Sequence, residues 1–128
     1  MKSPALSALL FTLTLAVVTP AARAADEPAK PDAAASARLV NAIVKSDYAA
    51  FIADGEPAFQ QMKQEQFAAV AAKLGPKLAA GHQVTYLGDM RKGGYHVTLW
   101  RISFQDGSDD VLATLSMKDG KVGGFFLR

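Results

Sequence analysis

Cysteine is absent from the 128 residues. Its absence removes disulfides, thiolate nucleophiles, cysteine metal ligands and a lipid carried on a thiol after an export signal. Histidine occurs only as His82 and His96, and tryptophan only as Trp100. No Gly-x-Ser-x-Gly elbow is present, so a serine nucleophile lacks its usual setting. Gly93-Gly94 sits between two β-type stretches and does not open a helix, which leaves no glycine-rich phosphate loop and implies no cofactor. Blocks of like charge are missing, so binding to nucleic acid or to an anionic membrane surface has no support.

What is present at the N-terminus is an export signature. Lys2 supplies a positive start, Ala5 to Val18 an apolar run of 14 residues, and Ala22-Arg23-Ala24 a small-x-small cleavage site. The run falls short of the ~20 residues of a spanning helix, and the polar stretch after it is no stop-transfer signal. Residues 1–24 are therefore expected to be a cleaved signal peptide, with the remainder soluble and exported, periplasmic or secreted, without stable membrane insertion. Of the 14 Lys and Arg, Lys2 and Arg23 lie in this signal, which contains no acid. The other 12 balance 12 Asp and Glu, so the basic character belongs to the precursor.

Residues 25–31 contain two prolines and no apolar periodicity, the pattern of a flexible leader. A single domain is expected over 32–128. Asp32 is read as a helix N-cap ahead of Leu39, Val40, Ile43 and Val44 at helical spacing. Ser46-Asp47 caps a short helix burying Tyr48, Phe51 and Ile52, and Asp54-Gly55-Glu56-Pro57 ends it. A further helix spans about Lys63 to Leu74, interrupted at Gly75-Pro76 and closed by Gly81.

After Gly81 the residues turn to Val, Thr, Tyr, Trp and Phe, broken by Arg-Lys-Gly-Gly, Gln-Asp-Gly-Ser and Lys-Asp-Gly-Lys. Two Asp-Gly pairs signal tight hairpins. The reading is an α+β fold, with N-terminal helices packed on one face of a four-stranded antiparallel meander. Two-residue loops at Asp106-Gly107 and Asp119-Gly120 put Trp100, Ile102, Phe104, Val111, Ala113, Leu115, Met117, Val122 and Phe126 on the helix-facing side. The other side carries Leu87, Tyr95, Val97, Leu99, Leu112, Phe125 and Leu127, too apolar for a solvated face, so a homodimer or partner is expected to cover it.

The helical stretch Lys45-Ser-Asp-Tyr-Ala-Ala-Phe, the helix opening Glu65-Gln-Phe and the closing Asp119-Gly-Lys-Val-Gly-Gly-Phe resemble the nuclear-transport-factor-two-like (SnoaL-like) superfamily. The likeness is strongest to its small domains in exported bacterial proteins, and it covers roughly residues 34–128. It implies a cone-like α+β fold. Larger members have a strand or hairpin before the third helix, which only Glu56 to Gln61 would supply here. Members that are isomerases or dehydratases place an Asp, or an Asp with a His, in the cone, and spacing alone assigns no equivalent.

Two chemical constellations merit weighing. His82 and His96 fall at opposite ends of one hairpin, roughly 25 Å apart at ~3.3 Å per residue, too far to share a metal. Asp89 and His96 would form an acid–base pair if the first hairpin has an even loop. A three-residue loop, Lys92-Gly93-Gly94, instead turns Val84, Tyr86, Gly88 and Met90 inward and buries more apolar surface, which favours it and separates the pair. Basic side chains (Arg91, Lys92, Lys118, Lys121) gather at one set of turns and acidic ones (Asp106, Asp109, Asp110) at the other, a pattern that solvated hairpin tips account for. The leading expectation is a non-catalytic exported domain binding a small apolar ligand or a protein partner, its pocket mouth lined by Tyr48, Tyr86, His96, Trp100 and Met117. The alternatives are a small isomerase or lyase using His96 or Asp89 as general base, and an interaction domain whose five candidates only complete a core.

Overall fold

The computed structural model describes residues 27–128. The expected signal peptide and the start of the leader lie outside the described residues. Four helices come first, α1 (Lys30–Lys45), α2 (Tyr48–Ile52), α3 (Pro57–Gln60) and α4 (Gln64–Ala79). Four strands follow, β1 (His82–Lys92), β2 (Tyr95–Phe104), β3 (Val111–Lys118) and β4 (Lys121–Leu127), in an antiparallel sheet of order β1-β2-β3-β4. The helices lie against one face of this meander, a cone-like α+β arrangement. Among the described residues no helix is long and apolar enough to cross a membrane.

The helix α1 starts two residues before Asp32, with Pro31 in its first turn, where a missing N–H costs nothing. Asp32 is thus not the cap. It occupies the first turn, where a carboxylate is favoured by the helix dipole. Asp47 does cap α2, accepting from the Ala50 amide at 3.0 Å. The segment expected as a possible strand is instead the single turn α3, burying Phe59.

The expected interruption at Gly75-Pro76 does not occur, and α4 runs through to Ala79. A β-carbon on Gly75 would stand 3.3 Å from the Ile43 carbonyl oxygen, so the glycine lets α1 and α4 approach closely. Tertiary packing of Phe67, Ala71 and Leu78 offsets the lost hydrogen bond at Pro76.

Leu39, Ile43, Ile102, Leu115 and Val122 are fully buried at the helix–sheet junction. Phe51 lies at the centre of an aromatic group, its ring centroid 4.9 Å from Phe67, 5.4 Å from Phe59 and 6.2 Å from Phe125. The β2–β3 register is the expected one, with Thr98 opposite Leu115, Trp100 opposite Ala113 and Ile102 opposite Val111.

The other two hairpins depart from expectation through bulges. In β4 the pairing shifts between Ser116 and Met117, leaving Gly123 as the extra residue. Beyond it the faces exchange. Phe125 is 7% exposed in the core and Phe126 59% exposed outside, the reverse of the expected assignment, and Leu127 pairs with Ala113 on the helix side. The Tyr95 ring covers Gly123, where a β-carbon would come within 2.4 Å of it, and the Tyr95 hydroxyl donates to Glu56 Oε2 at 2.7 Å.

The first hairpin has a two-residue Gly93-Gly94 turn, with Lys92 opposite Tyr95, in place of the expected three-residue loop. A bulge between Tyr86 and Gly88 then changes the parity, and Gly88 takes φ +148°, a conformation few side chains tolerate. Val84 and Tyr86 face the helices as expected, whereas Met90 points outward and Asp89 inward.

Candidate functional site

The inner face of β2 presents His96, Thr98, Trp100, Ile102 and Phe104 in alternation, as a pleated strand must. The bulge places Asp89 opposite Thr98 and therefore diagonal to His96, within reach of its ring. His96 Nε2 lies 2.6 Å from Asp89 Oδ2, so the pair that the favoured loop length separated is formed.

A third member was not anticipated. Asp32, from the first turn of α1, places Oδ2 3.1 Å from His96 Nδ1. Asp32 is 4% exposed as a residue, while the His96 and Asp89 side chains are 35% and 52% exposed. The imidazole therefore spans a buried carboxylate and an open one. A neutral imidazole carries one N–H, and only the imidazolium donates to both carboxylates at once. The His96 pKa is raised, first by the hydrogen bond to Asp89, against a lowering from desolvation, with the Asp32 and Asp89 charges adding to the rise. The carboxylates sit on opposite edges of the ring and do not converge on a common point as metal ligands would.

Next to this cluster the indole of Trp100 packs on Tyr86, ring centroids 5.2 Å apart, and its Nε1 donates to the buried Thr98 hydroxyl at 2.9 Å. The Trp100 ring forms part of an open groove of about 520 Å³ between α1, the end of α4 and the start of β1. Apolar residues dominate its lining, among them Ala37, Val40, Leu78 and Val84, with Ser36, Asn41 and His82 as the polar groups. His82 Nδ1 lies 2.8 Å from the Leu78 carbonyl oxygen, which makes that nitrogen the donor. His82 pairs with Phe104, at the far end of β2 from His96.

Of the five residues expected at a pocket mouth, Tyr86, His96, Trp100 and Met117 share one region of the inner sheet face, Met117 lying directly across from His96. Trp100 alone of them lines the groove. Tyr48 is elsewhere, its hydroxyl donating to the Met62 carbonyl and its ring 5.9 Å from Phe67. Sequence reasoning missed Asp32 and the α1 wall. The available signals were the polar Ser36 and Asn41 set among the small and apolar Ala33, Ala37, Val40 and Val44, and an Asp able to serve either as cap or as first-turn anion. Among the basic turn residues Lys118 has a local use, its Nζ standing 5.5 Å from the Tyr95 ring centroid.

Fold and site together define a small α+β domain with an apolar groove and a neighbouring carboxylate–imidazole–carboxylate cluster. No protein-family model matches the chain, and no curated protein matches it.

Proposed function

We propose that the chain is an exported, non-catalytic binding domain that takes a small apolar molecule in the groove between α1, α4 and β1. The carrying observation is the groove itself, whose volume of about 520 Å³ lies within the roughly 300–1,000 Å³ typical of small-molecule sites and whose walls are mainly apolar. The engagement of both His96 nitrogens by carboxylates supports binding over isomerase or lyase chemistry, because a general base needs a free lone pair. Residues 1–24 support export, and the order of helices and sheet supports a place among the nuclear-transport-factor-two-like domains.

Trp100 is the sole tryptophan, so its fluorescence reports on the groove directly. Titration with N-phenyl-1-naphthylamine, a neutral apolar fluorophore, is expected to give saturable quenching of Trp100 with energy transfer to the probe. Ala37→Arg, at an exposed groove position, should abolish it while leaving the fold intact. Absence of saturation, or equal binding by the variant, would refute the reading.

A second reading concerns the outer sheet face, where Leu87, Met90, Leu112 and Phe126 are exposed together with the half-buried Leu99. Their exposure supports a homodimer through this face, since soluble surfaces seldom leave so many large apolar side chains uncovered.

A further inference from the structure

The cluster joins three elements that share no other polar side-chain contact, and its members differ sharply in exposure. Asp32 holds the start of α1, His96 belongs to β2, and Asp89 follows the β1 bulge. Asp32 and His96 are 64 residues apart, so the contact exists only in the folded chain. We infer that Asp32, His96 and Asp89 form a proton-operated clamp that fastens the first turn of α1 and the bulged part of β1 to the sheet.

With the imidazole protonated, both carboxylates receive a charge-assisted hydrogen bond. Loss of the proton leaves one N–H for two acceptors. The buried Asp32 retains it, because an unpaired carboxylate costs more inside than outside, and Asp89 turns to water. The β1 arm is thereby released, and the α1 arm is reduced from an ion pair to a single hydrogen bond from a neutral donor.

The surroundings set the direction of the response. Arg91 stands directly across from His96 in the β1–β2 ladder and opposes the charged ring, whereas the two carboxylates favour it. On the β3 side the partner is the uncharged Met117. The phenol of Tyr86 is held above its usual pKa by desolvation, then by the charges of Asp89 and Asp32, and so stays neutral while His96 titrates. Because the folded His96 pKa is raised above the unfolded value of about 6.5, the clamp's stabilisation is complete below that value and is lost as pH rises through the folded pKa.

Ser36, Ala37 and Val40, four to eight residues after Asp32 on the same helix, form one wall of the groove. Release of the clamp therefore loosens that wall and weakens ligand retention with rising pH, a consequence that rests on the binding reading above. The clamp itself does not, and it is tested on the free protein.

Nuclear magnetic resonance of the full chain between pH 6 and 9 should show the His96 ring titrating with a midpoint above about 6.5. The amides of Asp89 and of Ala33 to Arg38 should shift with the same midpoint. Exchange protection at Ala33 to Arg38, corrected for intrinsic rate, should fall severalfold across the transition. Asp89→Asn should lower the His96 midpoint, and His96→Gln should remove the pH dependence from the α1 amides. A His96 midpoint at or below the free value, or α1 amides indifferent to His96 titration, would overturn the inference, and the wild-type titration decides this without any variant. If the clamp titrates but no probe enters the groove, the binding reading fails and this one stands.

Discussion

Double-mutant cycles built on His96→Gln separate two contacts whose lengths and importance run in opposite order. The Asp89 contact is the shorter, 2.6 Å against 3.1 Å for Asp32, but Asp32 is the buried partner. At an effective dielectric of about 20, opposite charges ~3 Å apart attract by roughly 5 kcal/mol. Desolvation of the Asp32 carboxylate offsets several of these, and the exposed third of His96 screens the remainder, leaving a coupling of about 2 kcal/mol. The half-exposed Asp89 should couple to His96 by about 0.5 kcal/mol, the range of surface pairs. Urea unfolding at pH 6 of Asp32→Asn, Asp89→Asn, His96→Gln and the two double variants yields both couplings, provided the denaturant slopes agree. An Asp89–His96 coupling equal to or above that of Asp32–His96 would show that burial does not govern this cluster.

Three further outcomes follow from the geometry. Phe125→Ala should cost about 3–5 kcal/mol and Phe126→Ala under about 1 kcal/mol by thermal or urea unfolding, and the reverse order would deny the β4 bulge. Gly75→Val should destabilise by roughly 2 kcal/mol because the added atoms meet the Ile43 carbonyl; no loss in a denaturation curve would mean that α1 and α4 can part freely. Phe126→Lys should lower self-association without lowering stability, and light scattering that finds wild type and variant equally monomeric would dismiss the outer face as an interface.

Much of the fold was legible because its signals are local. Helical spacing of Leu39, Val40 and Ile43, the Asp47 cap and the Asp119-Gly120 turn each act within a few residues, and each is present in the structure. The α4 boundary was misread because Gly75-Pro76 breaks an isolated helix, whereas here the close approach to α1 and the burial of Leu78 carry the helix onward.

The candidate site was legible only in part. Alternation put His96, Trp100 and Met117 on one face, but one additional residue in β1 and one in β4 decided the rest. A bulge reverses every side chain beyond it and leaves a trace of a single unpaired residue, Leu87 in β1 and Gly123 in β4, that alternation cannot distinguish from an ordinary strand position. For β1 the three-residue loop is not formed: the even turn sets Asp89 beside His96, and the shift at the bulge, in place of an odd loop, returns Tyr86 and Val84 to the interior.

By itself the sequence determined α1, α2, α4 and the four strands in their order, the β2–β3 register and the chemical poverty that leaves thiol and nucleophilic-serine chemistry without support. Tertiary structure alone decided that Asp32 is a partner of His96, that Phe125 and Phe126 exchange faces, and that α1, α4 and β1 leave a groove beside the one tryptophan. The division has a physical cause. Propensity, capping and turn chemistry act within a few residues of the chain, whereas burial, parity after a bulge and the pairing of charges 64 residues apart exist only once the layers have packed.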